Sequence, residues 1–194
     1  MLGPVLEGDR VRLAPPRPAN LETFVRWFAD PEVTRYLSRR YPPSPKQEEE
    51  WLEGMASSGE DVAWAISLKE TGALIGVTGL HKIDWRYRHG WIEISLGDRS
   101  AWGQGYATET IRLGTAYAFQ ELGFEKVLAS VYGCNGASVR LLAKVGYREC
   151  GVLRRNAFFA GQWHDEWLAE ILREEWKGRQ VSMPPRTACR PPTA

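Results

Sequence analysis

The sequence predicts a mixed α/β domain, and three observations carry that prediction. Between Val62 and Asp98 the runs "VAWAISLK", "ALIGVTGLHKID" and "HGWIEISLGD" follow one another across the short turns "ETG" and "WRYRHG", the pattern of an antiparallel meander. From Ala107 the period changes: Ala107, Ile111, Gly114 and Ala118 recur in steps of four, three and four, the spacing of one helix face, with Gly123 closing the helix. A strand "KVLASVY", a helix from Ala137 to Val145 ended by Gly146, and the strand-rich "AFFAGQWHDEWLAEILREEW" then complete the pattern. The 194 residues are enough for one domain with a sizeable core, assigned here to residues 1–177.

The elements before the meander follow in the same way. "VLEGDRVRLAPP" alternates apolar and polar residues around Gly8–Asp9 and reads as a short strand or hairpin. Leu21, Phe24, Val25 and Phe28 have helical spacing, with Asn20 as the expected N-cap. Pro31 interrupts that helix, Val33 to Leu37 reads as a further helical turn, "RRYPPSPKQ" as a loop, and Gln47 to Met55 as a third helix. Residues 178–194, with four prolines, read as a loose tail.

Composition excludes several classes. Charged residues make up 25% of the chain but the formal net charge is only +1, so no basic field points to nucleic acid or an anionic membrane. Cys134, Cys150 and Cys189 form no CxxC pair, which fits a reducing cytoplasm and no zinc site. Charges appear by the seventh residue, unlike a secretory signal, and no apolar run approaches the ~20 residues that span a bilayer. No spacing of His, Cys, Asp or Glu makes a metal site.

The most informative stretch is "SAWGQGYATETI", Ser100 to Ile111, which sets Gly103 and Gly105 immediately before the long helix. Such glycines serve a tight turn, or they let the backbone approach an anion at the positive end of a helix. The dinucleotide fingerprint needs a third glycine where Thr108 stands, and a Walker lysine is missing, so those two phosphate motifs are excluded. In "NGAS", Asn135 or Ser138 is by the same token a plain helix cap or a ligand contact.

From Trp91 to Tyr147 the succession of strand, "WGQGYATE", long helix, strand, "NGAS", helix and "KVGY" resembles the GNAT superfamily of acetyl-CoA-dependent N-acetyltransferases. "FADPEVTRYL" and the closing "AGQWHDEWLAEILREEW" extend the resemblance to about residues 8–177, and to the RimJ/RimL branch in particular. The resemblance implies a GNAT fold: a largely antiparallel sheet of about seven strands, flanking helices, and a splayed strand pair that receives acetyl-CoA. It implies that the pyrophosphate lies on the amides of Trp102, Gly103, Gln104, Gly105, Tyr106 and Ala107. The pantetheine arm is then expected along Ile94, Ser95 and Leu96, with Asn135 reaching it and Ser138 near the sulfur. The family often carries Gln or Arg three residues before the first glycine, where this chain has Ser100, and a tyrosine acid at the position of Leu142.

An acceptor amine attacks the thioester only when neutral. At pH 7 a lysine-like amine of pKa ~10.4 costs about 4–5 kcal/mol to deprotonate, an α-amine of pKa ~8 only about 1 kcal/mol. Strand alternation sets Trp91, Glu93 and Ser95 on one face, and a carboxylate desolvated beside tryptophan suits a general base. Glu93 is therefore the first candidate and a solvated or ion-paired residue facing Arg86 or Arg88 the alternative; His81, with Asp84 near it, is the second candidate. His164 reads as structural. Of nine tryptophans most belong to the core, while the resemblance sets Trp27, Tyr36, Trp51 and Trp85 beside the acceptor groove. The expected acceptor is a protein N-terminal α-amine; the alternatives are a small amine such as an antibiotic, polyamine or amino sugar, and a non-catalytic acyl-CoA sensor. Pairing of two chains into a homodimer is also expected.

Overall fold

The computed structural model describes residues 1–38 and 41–178, so the tail expected over 178–194, Gly178 apart, lies outside the described residues. The chain opens with a hairpin of β1 (Leu6–Glu7) and β2 (Val11–Ala14), closed by Gly8 N–H donating to the Val11 carbonyl at 2.9 Å. Helices α1 (Pro18–Phe28), α2 (Pro31–Thr34) and α3 (Pro45–Ser57) each begin at a proline, whose fixed φ suits a first helical turn. Asn20 is not the N-cap of α1. It lies one turn inside, and its Oδ1 accepts from the Arg17 N–H at 2.8 Å, satisfying the same helix end from the other side. Ser44 and Gln47 box the start of α3 reciprocally, at 3.3 and 2.8 Å.

The meander forms as expected: β3 (Val62–Leu68), β4 (Leu74–Asp84) and β5 (His89–Leu96) pair antiparallel. Then come α4 (Tyr106–Gln120), β6 (Lys126–Tyr132), α5 (Gly136–Val145), β7 (Arg148–Phe159) and β8 (Gln162–Leu172). Helix α4 ends at Gln120, and Gly123, with φ +70°, turns the chain just beyond it. The strands form one sheet in the order β1-β2-β3-β4-β5-β6-β8-β7. It has eight strands against the seven or so expected, because the two-residue β1 pairs Leu6 with Leu13 and Glu7 with Arg12 at the edge.

Around β3 both faces of the sheet are covered. Val62, Trp64 and Ile66 of β3 pack with Ile92, Ile111, Phe119 and Val127 into the larger core beneath α4 and α5. The alternate residue Ala65 joins Leu21, Phe24 and Phe28 in a smaller core beneath α1 and α3. This side-to-side alternation explains why β3 reads as a continuous apolar run and not as apolar and polar in turn.

Candidate active site

Among the strands described, β5 and β6 pair parallel, over only three residues: His89 with Lys126, Gly90 with Val127, Trp91 with Leu128. Beyond Trp91 the two strands part. β6 continues along β8 to Tyr132, and β5 continues along β4 to Leu96, so Ile92 to Leu96 face the gap with no strand partner on that side among the described residues. A cavity of about 920 Å³ opens at this splay.

The glycine turn closes one end of the cavity. Asp98 anchors the approach, accepting from the Ser100 N–H at 2.9 Å and its hydroxyl at 2.7 Å. Gly103 and Gly105 adopt φ of +73° and +85°, a backbone region that disfavours side chains, and α4 starts at the next residue. Among the described residues, the main-chain N–H groups of Gly103 to Thr108 donate to no internal acceptor; Glu109 N–H, bonded to the Gly105 carbonyl at 3.2 Å, is the first that does. Six amides at the positive end of a fifteen-residue helix, opening on a cavity, form a bed for an anion.

The residues expected from sequence do not all meet there in the same way. Ile94, Ser95, Leu96, Trp102, Gly103, Gly105, Ala107, Asn135 and Ser138 line the cavity. The side chains of Gln104 and Tyr106 do not: Gln104 Nε2 reaches back to the Ser100 carbonyl at 3.5 Å, and the Tyr106 ring lies beneath Arg10 at 4.7 Å. These two positions offer a ligand only their main chain. The β5 edge is also partly engaged already, since Trp102 Nε1 donates to the Leu96 carbonyl at 2.9 Å.

Asn135 caps α5, its Oδ1 accepting from the Ser138 N–H at 3.2 Å, which leaves its Nδ2 for a second partner. Leu142, where the resembled family carries a tyrosine, is 4% exposed and packed into the larger core. Tyr132 lines the cavity at the end of β6, and burial together with the Glu166 carboxylate pushes its phenol upward.

Glu93 and His81 face each other across β4 and β5, Nδ1 to Oε2 at 3.9 Å, and both line the cavity. The burial expected for Glu93 beside Trp91 does not occur: its side chain is 69% exposed at the open cavity. Neither arginine considered as its partner is engaged with it in an ion pair; Arg88 reaches Glu125 at 3.7 Å instead. Of the aromatic residues expected near the acceptor, Tyr36 and Trp51 line the cavity. Trp27 packs against Phe24 at 5.9 Å, and Trp85 sits on Phe124 at 6.1 Å with Nε1 on the Gly59 carbonyl. His164 stacks on Phe159 at 4.0 Å.

Two residues at the site have no counterpart in the sequence reading. Glu48, 1% exposed on α3, is part of the cavity wall. Its signal was the helical spacing to Trp51, Leu52 and Met55, which puts it on the inward stripe of a helix otherwise rich in glutamate. Arg10 reaches the glycine turn, Nη1 donating to the Gln104 carbonyl at 3.0 Å; their separation of 94 residues left no local sign.

A helix-end anion bed beside a split strand pair defines the class of a protein whose site suits an elongated, anionic ligand. The chain belongs to the acetyltransferase (GNAT) domain family, whose model matches residues 10–148. It is 30% identical over 173 residues to the uncharacterized N-acetyltransferase YoaA of Bacillus subtilis (strain 168), covering 88% of this chain and 97% of that one. It is 26% identical over 173 residues to the uncharacterized N-acetyltransferase p20 of Bacillus licheniformis, with the same coverage. A spermidine N-acetyltransferase from Vibrio cholerae, solved in complex with CoA and spermine, has the same fold, with a TM-score of 0.80 over 85% of this chain and 96% of that one at 21% identity. The protein is thus a GNAT-family N-acetyltransferase with a mixed α/β fold.

Proposed function

We propose that the protein transfers the acetyl group of acetyl-CoA directly to a protein N-terminal α-amine, in the manner of the RimJ/RimL branch. The observation that carries the acceptor class is the 69% exposure of Glu93, the carboxylate beside the splay. A carboxylate left in water is suited to an acceptor that needs little help, and an α-amine needs only about 1 kcal/mol at pH 7 where a lysine amine needs about 4–5 kcal/mol.

The residues present fit acetyl-CoA: the free amides of Gly103 to Ala107 suit a pyrophosphate, and the unpaired reach of β5 from Ile94 to Leu96 suits the amide-bearing pantetheine arm. Bound there, acetyl-CoA supplies an activated acetyl group at the splay. Glu93, directly or through a water, receives the proton of the amine, and His81 beside it is the second acceptor. Ser138, at the mouth of α5, supplies a hydroxyl to the leaving sulfur, a role that Leu142 has no group to fill. Residues 1–177 act as one domain in the cytoplasm. The edge strand β7, with Val152, Leu153 and Phe158 exposed, offers the surface for pairing two chains.

The test is a panel of acceptors with purified protein and acetyl-CoA, read as CoA release. A peptide with a free N-terminus is acetylated, while the same peptide blocked at its N-terminus but carrying lysine is not. Glu93→Gln lowers kcat/KM on the free peptide less than tenfold, against the 10²–10⁴-fold expected where a general base is indispensable. Turnover confined to lysine, polyamine or amino-sugar amines would overturn the acceptor class; CoA binding without turnover on any amine would overturn the transferase mechanism.

A further inference from the structure

We propose that Arg10 is a positioning residue that latches the Gln104–Gly105 peptide so that the Gly105 N–H faces the anion bed. The inference rests on the reading above, that the bed takes the pyrophosphate of CoA.

The turn needs such a device. Gly103 and Gly105, both at positive φ, bracket Gln104, and peptide groups next to glycine rotate without the resistance of a Cβ. In one orientation the peptide presents its N–H to the bed; in the other it presents its carbonyl oxygen, which repels phosphate. A trans peptide holds C=O and N–H on opposite sides, so whatever grips the Gln104 oxygen from outside the bed turns the Gly105 N–H into it. Arg10 Nη1 provides that grip at 3.0 Å, and among the described residues no other group donates to this oxygen.

Arg10 is itself fixed at three points. Its Nε lies 3.4 Å from Glu109 Oε2, and its Cζ stands 4.7 Å over the ring of Tyr106. Its own main-chain N–H donates to Glu109 Oε1 at 2.8 Å, as does that of Val11 at 3.1 Å. Glu109, in the first turn of α4 with its side chain 17% exposed, therefore ties the β1–β2 turn to the helix whose amides form the bed. Ser100, where the resembled family often carries Gln or Arg, has its hydroxyl on Asp98 and takes no part.

The test is calorimetric titration of CoA into the wild-type protein, Arg10→Met and Arg10→Lys, at low salt and at about 0.5 M salt, where long-range attraction between exposed charges is screened. Arg10→Met is expected to bind CoA at least tenfold more weakly at both salt concentrations, and Arg10→Lys, which keeps a donor, to stay within threefold of wild type. Equal affinity in Arg10→Met overturns the latch. So does a deficit that vanishes at high salt, because Arg10 then acts only as a distant charge. Should Arg10→Met not fold, Arg10→Leu, which likewise lacks a donor, serves the same comparison. If the wild-type protein itself shows no saturable CoA binding, it is the reading of the bed that fails, and the latch falls with it.

Discussion

Tyr147 shows how a single side chain links burial to pH. Its phenol is enclosed in the larger core and shares a 2.8 Å hydrogen bond with Thr115 on α4. Burial pushes the phenol well above its usual value, with the Thr115 hydroxyl opposing in part. The folded state thus favours the neutral form, and the resulting stabilisation is complete below pH ~10, where the unfolded chain also keeps its proton. It is lost as pH rises beyond that toward the folded value. Urea unfolding should therefore show stability falling steeply above about pH 10, and Tyr147→Phe should flatten this slope at a cost of about 1 kcal/mol at pH 7 for the lost hydrogen bond. Legibility at this scale follows the distance between partners along the chain. Gly103 and Gly105 were readable because their reason, a turn before a helix, is local. The face of Glu93 followed from strand alternation, but its exposure did not, since that depends on which other elements cover the strand. Arg10 gave no sign at all, because its partners Gln104 and Glu109 stand more than ninety residues away.

Helix α5 presents the question of whether Asn135 is a cap or a ligand contact, and its geometry allows both roles from different atoms. Oδ1 takes the Ser138 N–H, while Nδ2 donates to no acceptor among the described residues and Asn135 lines the cavity. Two substitutions separate the roles. Asn135→Ala should cost about 1 kcal/mol of stability, the usual loss of an N-cap, whereas Asn135→Asp keeps a capping oxygen and should leave the melting temperature nearly unchanged. If Nδ2 serves the ligand, Asn135→Asp nevertheless weakens CoA binding several-fold in titration. Equal CoA affinity in wild type and Asn135→Asp would reduce Asn135 to a cap. The elements themselves were largely legible: the meander and the long α4 stand where period and turn residues put them, whereas the closing strand-rich segment read from Ala157 is a pair of strands, the first of which already begins at Arg148. The boundaries slipped where a side chain acts from inside a helix, as Asn20 does, and where a pairing partner is only two residues long, as in β1.

On the scale of the whole molecule, the sheet separates two cores with different duties. The larger one carries α4 and α5, and with them the anion bed and Asn135; the smaller one holds α1 and α3 against the other face. Phe24, fully buried in the smaller core and lining the cavity, belongs to the second. Phe24→Ala should lower stability by about 3–5 kcal/mol in denaturant titration. Where the variant folds, it should raise KM for the acceptor amine far more than it changes CoA affinity, because the bed is built on the opposite face. The division of labour between faces could not be read from the sequence, since β3 serves both cores with one unbroken apolar run. The splay has a consequence of its own. A strand edge with unused hydrogen-bonding groups is ordinarily an invitation to aggregate, yet here that edge lies in the middle of the sheet, between strands already committed to other neighbours. Only a slender, flexible guest can slip into such a seam, so the same gap that admits a cosubstrate's arm turns away the broad flank of a stray polypeptide.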